Sequence, residues 1–304
     1  MRFGTDGIRG VANAQLTPEL ALAIGRAAAR VLGGPVITVG RDPRWSGPML
    51  EAAFVAGACA EGVSVELLGV VPTPAVALRS ETANCPAAMI SASHNPFGDN
   101  GIKLFAPGGL KLSDEVQALL EAELDAAGAK ADAPTGRDVG TVGTYDVAPD
   151  YVRHVGESIP DGALAGLKVV LDCGNGASSD VASTVFTRLG AEVVALHVTP
   201  DGSNINDASG STHPESLRTA VVAEGAQLGF AFDGDADRML AVDHQGRLID
   251  GDQLIAVAAV DLKRRGLLVN DTVVVTVMSN LGFRIGMAAE GIEVVDTAVG
   301  DRYV

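Results

Sequence analysis

Six residues, "DGDADR" from Asp233 to Arg238, place carboxylates at alternate positions: Asp233, Asp235 and Asp237. On an extended loop that spacing lets three hard anionic oxygens converge on one point. With neither His nor Cys among them the set suits Mg²⁺, which keeps open positions for water and a phosphate oxygen. A calcium loop is a rival, but no EF-hand glutamate follows at its expected spacing. A solvated acidic turn is the plain alternative. It fits less well, because the apolar run "LGFAF" leads straight into the acids, and carboxylates held close together call for a counter-charge.

The second stretch able to do chemistry is "AAMISASHNPFGDNGIKLF", Ala87 to Phe105. Ser93 precedes a turn built by Asn95, Pro96 and Gly98, so its hydroxyl is expected at the open end of a sheet, with Ser91 still inside the strand. His94 is adjacent to Ser93, and neighbouring side chains on extended backbone face opposite ways, which argues against a serine–histidine hydrolase pair. An ordinary turn with a capping serine is the competing reading. Arg9 in "TDGIRG" and Lys103 in "DNGIKLF" each follow a glycine turn, as cations do when they reach into a cleft, although solvent is the usual fate of a lone Arg or Lys. "GRDPR", Gly40 to Arg44, ends a strand with two arginines that could grip phosphate. In "DCGNGAS" from Asp172, glycines between strand and helix could cradle an anion; tight packing explains them equally well.

These residues need strands and helices to position them. Apolar strand-like runs ("PVITVG", "VSVELLG", "AAMIS", "KVVLD", "AEVVALHV", "LGFAF", "TVVVTVM", "IEVV") alternate with helical stretches, the pattern of βαβ units and a covered, largely parallel sheet. Three times a strand, a small-residue helix, a glycine and a second strand recur, with the glycine at Gly62, Gly190 and Gly291, where a left-handed helix cap is expected. The first two copies continue to a third strand ending in a loaded loop, 57 positions from Val36 to Ser93 and 65 from Lys168 to Asp233. Ligands of open α/β sheets collect beyond the carboxyl ends of strands, where both loops would lie. The fold class is therefore α/β: tandem repeated α/β domains with mixed, largely parallel sheets sandwiched by helices. The expected domains are residues 1–150, 151–250 and an incomplete 251–304, with linkers near 126–150 and 244–251, the latter turning at "HQGR".

At 304 residues, with 47 % hydrophobic and 20 % charged residues, the chain has material for several packed cores. A net charge of -16 disfavours nucleic acid and anionic membranes, which are held by clustered Lys and Arg. Cys59, Cys85 and Cys173 are odd in number, widely spaced and without a CxxC pair, which argues against a disulfide framework or zinc site and fits a reducing cytoplasm. "MRFGTDGIRG" lacks the apolar run of a signal peptide, and no stretch has the length of a membrane span.

In their order and separation, "FGTDGIRG", "SASHNP…DNGIK" and "DGDADR" resemble the α-D-phosphohexomutase superfamily, over essentially the whole chain, and most closely its members acting on glucosamine phosphates in bacterial cell-wall precursor synthesis. The resemblance implies that Ser93 is carried as a phosphoserine and Ser91 is a bystander. Asp233, Asp235, Asp237 and a Ser93 phosphate oxygen would bind one Mg²⁺. Arg9 and Arg238 would hold the phosphoserine, His94 would support the transfer site, and Lys103 would handle a proton or stabilise charge. Arg302, in "VGDRY", would lie near the sugar phosphate. The implied reaction interconverts glucosamine 6-phosphate and glucosamine 1-phosphate through glucosamine 1,6-bisphosphate. Phosphomannomutase or phosphoglucomutase activity is the near alternative; a Mg²⁺-dependent phosphatase using an aspartyl phosphate, and a metal-binding fragment, are the distant ones. The partners expected are small hexosamine phosphates, and a homodimer is compatible with them.

Two family loops, Gly-Glu-x-Ser-Gly-His for the sugar and Arg-x-Ser-Gly-Thr for phosphate, do not occur in these residues, so a fourth domain is expected to be missing and turnover by this chain alone to be poor. Neutralising Asp235 is expected to weaken metal binding while relieving charge repulsion in the metal-free chain.

Overall fold

The computed structural model describes residues 7–126, 132–300 and 303–304. The first layer set runs β1 (Ile8–Val11), α1 (Pro18–Leu32), β2 (Val36–Arg41), α2 (Gly47–Ala60), β3 (Ser64–Val70), α3 (Thr73–Ala83), β4 (Ala87–Ile90), β5 (Asp99–Ala106), β6 (Leu110–Lys111), α4 (Asp114–Asp125) and β7 (Val142–Thr144). Its strands form one sheet in the order β1-β5-β4-β2-β3-β7, with β6 beside β5. Pairings among β4, β2, β3 and β7 are parallel, and those of β5 with β1, β4 and β6 are antiparallel. Helix α1 starts where Thr17 accepts the Leu20 N–H and Pro18 takes the first position. It packs with α2 over Ile37, Val39, Phe54, Ala88 and Ile90, while Val71, Val76, Met89 and Phe105 pack on the other face.

The second set runs α5 (Ala148–Gly156), β8 (Lys168–Asp172), α6 (Ala182–Arg188), β9 (Glu192–Leu196), α7 (Glu215–Ala223), β10 (Leu228–Phe232), β11 (Met239–Asp243) and β12 (Leu248–Ile249). The sheet order is β12-β11-β10-β8-β9, with β8 parallel to both β9 and β10. The third set is α8 (Gly251–Arg264), β13 (Thr272–Thr276), α9 (Leu281–Ala289) and β14 (Glu293–Thr297), with β13 and β14 parallel. No helix among the described residues is long and apolar enough to cross a membrane.

The internal repeat is real. In both larger sheets the third strand of the repeat, β4 or β10, sits beside the first, β2 or β8, so the loops after β4 and β10 occupy equivalent places. Gly62, Gly190 and Gly291 all take left-handed backbone after their helices, with φ of 81°, 97° and 68°. One expected linker differs: residues 126–150 contain β7, which adds to the parallel edge of the first sheet beside β3. The short run "TVGT" lacks the apolar density that marks the inner strands, because this edge strand is exposed. The "HQGR" turn does join β11 and β12, with Gly246 in left-handed backbone at φ 76°.

Candidate active site

Strand β4 is buried at every position, and the chain leaves it at Ser91 in a tight, polar turn. Ser91 Oγ accepts the N–H of Ser93 at 2.8 Å and donates to Asp42 Oδ2 at 2.7 Å. Asp42, fully buried just past β2, also takes the Arg44 Nε–H at 2.9 Å. Arg44 has no exposed surface, and its guanidinium donates to the carbonyls of Ser93 (2.9 Å), Asn95 (2.8 Å), Asp99 (3.0 Å) and Pro96. Two expectations change here. Arg44 grips four main-chain carbonyls instead of phosphate, since a buried guanidinium with five N–H groups must satisfy them locally; Arg41 pairs with Glu51. Ser91 is a structural partner of Ser93 rather than a bystander.

Ser93 has φ 55°, a left-handed conformation that a non-glycine residue holds only when its surroundings impose it. Its side chain is buried instead of open at the sheet mouth, because the second domain closes over it. Ser93 Oγ donates to Asp233 Oδ2 at 2.5 Å, across 140 residues of sequence. The approach depends on glycine: a Cβ at Gly234 would lie 2.6 Å from the Ser93 carbonyl oxygen, and one at Gly176 would lie 2.5 Å from that of Gly234. The "DCGNGAS" glycines thus serve close packing. Helix α6 starts only at Ala182, well past them.

The acidic loop after β10 brings one carboxylate oxygen from each of Asp233, Asp235 and Asp237 within 4.8 Å of one another. Lys103, buried on β5, donates to Asp235 Oδ2 at 2.6 Å and Asp237 Oδ2 at 3.0 Å. Thr73, at the start of α3, also binds Asp235 Oδ2 through its hydroxyl (2.7 Å) and the Asp235 carbonyl through its N–H (2.9 Å). Arg238 spans the gap: its Nη2 reaches Ser93 Oγ and His94 Nδ1, each at 2.5 Å, and Asp233 Oδ2 at 3.0 Å. Serine and histidine therefore share an arginine and do not pair with each other. Arg9 lies on β1 opposite Gly101. Arg302 lies outside the described residues, as do Thr5 and Asp6.

The electrostatics are uneven. Burial, reinforced by Asp235 and Asp237, pushes the Asp233 carboxyl up to about 6. Burial pushes Asp235 the same way, but the Lys103 ammonium and the hydrogen bonds from Lys103 and Thr73 outweigh it and hold Asp235 below its usual value. Lys103 is buried too, and its two carboxylates raise its pKa, so it is a cation in this arrangement. Burial lowers His94, helped by Arg238 and Arg9, which keeps its imidazole neutral with Nδ1 accepting.

The donor set fits a divalent cation of the hard kind. Three oxygen ligands converge, and Asp235 Oδ1 is buried with no hydrogen-bond partner, an unmet demand of the sort a metal satisfies. The sequence does not mark Thr73, Asp42 or Asn206, the last of which donates from Nδ2 to the Ser93 carbonyl at 2.9 Å. Asp42 has only a general signal, an acid two residues before an arginine directly after a buried strand; Thr73 and Asn206 act across the domain boundary and have none.

Family models for phosphoglucomutase/phosphomannomutase α/β/α domains I, II and III match residues 1–131, 149–246 and 250–304. The chain belongs to the phosphoglucomutase/phosphomannomutase family. It is 55 % identical to the phosphoglucosamine mutase of Pelotomaculum thermopropionicum over 307 residues, and 54 % identical to that of Streptomyces avermitilis over 314, covering 99 % of this chain and 69 % of each relative. A crystal structure of a phosphoglucomutase/phosphomannomutase family protein from Burkholderia thailandensis superposes with a TM-score of 0.82 at 31 % identity, covering 98 % of this chain and 67 % of that one. Enzymes of this family act on small sugar phosphates and depend on a metal, and the three acids of the loop form a group able to bind one.

Proposed function

We propose that the chain works as a cytoplasmic phosphoglucosamine mutase, interconverting glucosamine 6-phosphate and glucosamine 1-phosphate with Ser93 as phosphoryl carrier and Mg²⁺ held by Asp233, Asp235 and Asp237. The observation that carries this reading is the 2.5 Å contact of Ser93 Oγ with Asp233, with Arg238 on the same oxygen. A serine hydroxyl sits where three carboxylates, a lysine and an arginine meet, which is a place for a phosphate and its counter-charges. The names of the relatives at 54–55 % identity favour glucosamine over mannose or glucose phosphates.

Phosphoryl transfer asks the protein for position and charge more than for a strong base. The O–P bond to Ser93 breaks as a bond to the free sugar hydroxyl forms, and the proton lost by that hydroxyl is matched by the one regained on Ser93 Oγ. The bisphosphate then turns, and its other phosphoryl group returns to Ser93 by the same exchange. Arg238 holds cationic donors at Ser93 Oγ, and Lys103 keeps the adjacent acids compensated. When bound, the divalent cation supplies further charge neutralisation at the phosphoryl oxygens. An aspartyl-phosphate phosphatase is disfavoured because the group at the meeting point of these charges is the Ser93 hydroxyl, with Asp233 and Arg238 both on its oxygen.

The test is a half-reaction that needs no full turnover. The chain is incubated with glucosamine 1,6-bisphosphate and Mg²⁺, and phosphate is mapped by peptide mass. Ser93 is expected to carry it, and Ser93→Ala to take up none while keeping its fold. Phosphate on Ser91 or on an aspartate would overturn the assignment.

A further inference from the structure

The carbonyls of Ser93 and Asn95 each receive side-chain donors from both domains. Arg44 Nη2 of the first domain reaches them at 2.9 and 2.8 Å. Asn206 Nδ2 of the second reaches the same two oxygens at 2.9 and 3.3 Å. Two carbonyl oxygens demand donors, so the orientation of this amide is chemically forced. Its Oδ1 is left buried without a partner. Asn206 is itself buried, in left-handed backbone at φ 58°, and its N–H donates to the Gly174 carbonyl at 2.8 Å. Gly174 is tied in turn to the buried Asp172 carboxylate, which also takes the Gly210 N–H. Asn206 is therefore the end of a rigid loop network in the second domain, applied to the main chain of the residue that carries the hydroxyl.

We infer that Asn206 is a positioning residue for phosphoryl transfer at Ser93, fixing from the second domain the main-chain carbonyls that hold Ser93 in its left-handed conformation. The inference rests on Ser93 being the phosphoryl carrier. With the Ser93 N–H held by Ser91 Oγ and its C=O held by Arg44 and Asn206, only side-chain rotation is left to Ser93. Its hydroxyl then stays aligned with the acidic loop. The same grip couples that alignment to domain docking: the second domain holds the serine's backbone and the carboxylates facing it as one unit.

The experiment follows Ser93 phosphorylation by glucosamine 1,6-bisphosphate with Mg²⁺, reading the rate constant and the half-saturating bisphosphate concentration by intact mass. Asn206→Asp keeps the shape but sets an anion in place of the donor; Asn206→Gly keeps the left-handed backbone without strain and removes the donor without adding charge, so it is the cleaner of the two. Trp45→Phe is the control, since it removes another contact between the domains, Trp45 Nε1 to the Asp201 carbonyl, without touching the Ser93 loop carbonyls. Both Asn206 variants are expected to slow phosphorylation by about 10- to 100-fold, the scale of a misplacement near 1 Å. Half-saturation should be unchanged, and Trp45→Phe should react at the wild-type rate. If one Asn206 variant fails to fold by circular dichroism, the other decides. Wild-type rates in the folded Asn206 variants would overturn the proposal, as would equal slowing by Trp45→Phe, which would mean general docking. No phosphate on wild-type Ser93 would bring down the functional reading and this inference together, an outcome distinct from the other two.

Discussion

The loops after β4 and β10 are the same place in two copies of one repeat, yet they are held by opposite means. The Ser93 loop is braced through its main chain: a buried arginine grips four carbonyls and is neutralised by a buried aspartate. The acidic loop is braced mainly through its side chains, by a lysine and a threonine reaching over from the first domain, with the threonine N–H also on the Asp235 carbonyl. Its charges are incompletely compensated, with Asp233 pushed up to about 6 and Asp235 Oδ1 unpartnered. The loop with the reacting atom has its polar demands met within the protein. The loop supplying charge keeps a demand open for a cation. Both contain a non-glycine residue in left-handed backbone, Ser93 at φ 55° and Ala236 at 54°, so the turn geometry is shared while the electrostatics diverge.

Breaking the main-chain brace should have the largest effect. Arg44→Met leaves Asp42 buried without its cation, and removing one partner of a buried pair costs about 3–5 kcal/mol. The double variant Arg44→Met with Asp42→Asn separates two contributions. If the unpaired charge were the whole loss, the double variant would recover it. It is expected to recover only part, because the loop carbonyls remain without the arginine and each unmet buried group costs about 1–3 kcal/mol. Urea unfolding followed by circular dichroism measures both, and full recovery would show that the grip on the carbonyls is incidental.

The acidic loop gives the second largest effect, with opposite signs at neighbouring positions. Asp233 has a folded pKa near 6 against an ordinary value of 3.8. The folded metal-free chain therefore holds this proton where the unfolded chain has lost it, and stability falls as pH rises from about 4 to 6. Over that window the loss is on the order of 1–3 kcal/mol. Asp233→Asn, measured in EDTA, should be more stable than the wild type at pH 7 and lose that advantage at pH 4. Asp235→Asn should be less stable at pH 7, because Lys103 loses its 2.6 Å partner inside the protein. This reverses the sequence-based expectation that neutralising Asp235 relieves repulsion; the cation that compensates Asp235 comes from another domain. Matching pH profiles for the two variants would show that Lys103 does not distinguish these acids.

The sequence made legible whatever lies within one element or one repeat. The inner strands were readable because β2, β4 and β8 are dense apolar runs. Strand β7 was not, since its three residues are exposed and gain strand identity only by pairing with β3. At the site, Ser93 and the three acids stand out by type and spacing, whereas the role of Arg44 does not. An arginine after a strand looks alike whether it faces phosphate or four carbonyls, and only the fold shows that it is buried. Thr73 and Asn206 are ordinary residues whose importance comes from what lies across the domain boundary, 162 and 113 positions away.

Ser91 gives the smallest effect and sharpens the comparison most finely. Its hydroxyl joins the two halves of the brace, accepting the Ser93 N–H and donating to the Asp42 carboxylate. Ser91→Ala removes both bonds without changing the strand or its packing, and leaves the Ser93 N–H buried. The expected stability loss is about 1–2 kcal/mol, at the low end of the cost of a buried unmet donor because Arg44 still holds the loop carbonyls. Such a loss, spread over a chain with more than one core, is hard to resolve in a global melt. Amide hydrogen exchange reads it locally: Ser93 should lose protection by about 10-fold or more, while amides of β8 and β10 keep theirs. Phosphorylation of Ser93 should slow by a few-fold only, since one of the three side chains holding its backbone is gone and two remain. Unchanged Ser93 exchange and unchanged phosphorylation together would return Ser91 to the status of a bystander, and would place the whole of the brace in Arg44 and Asn206.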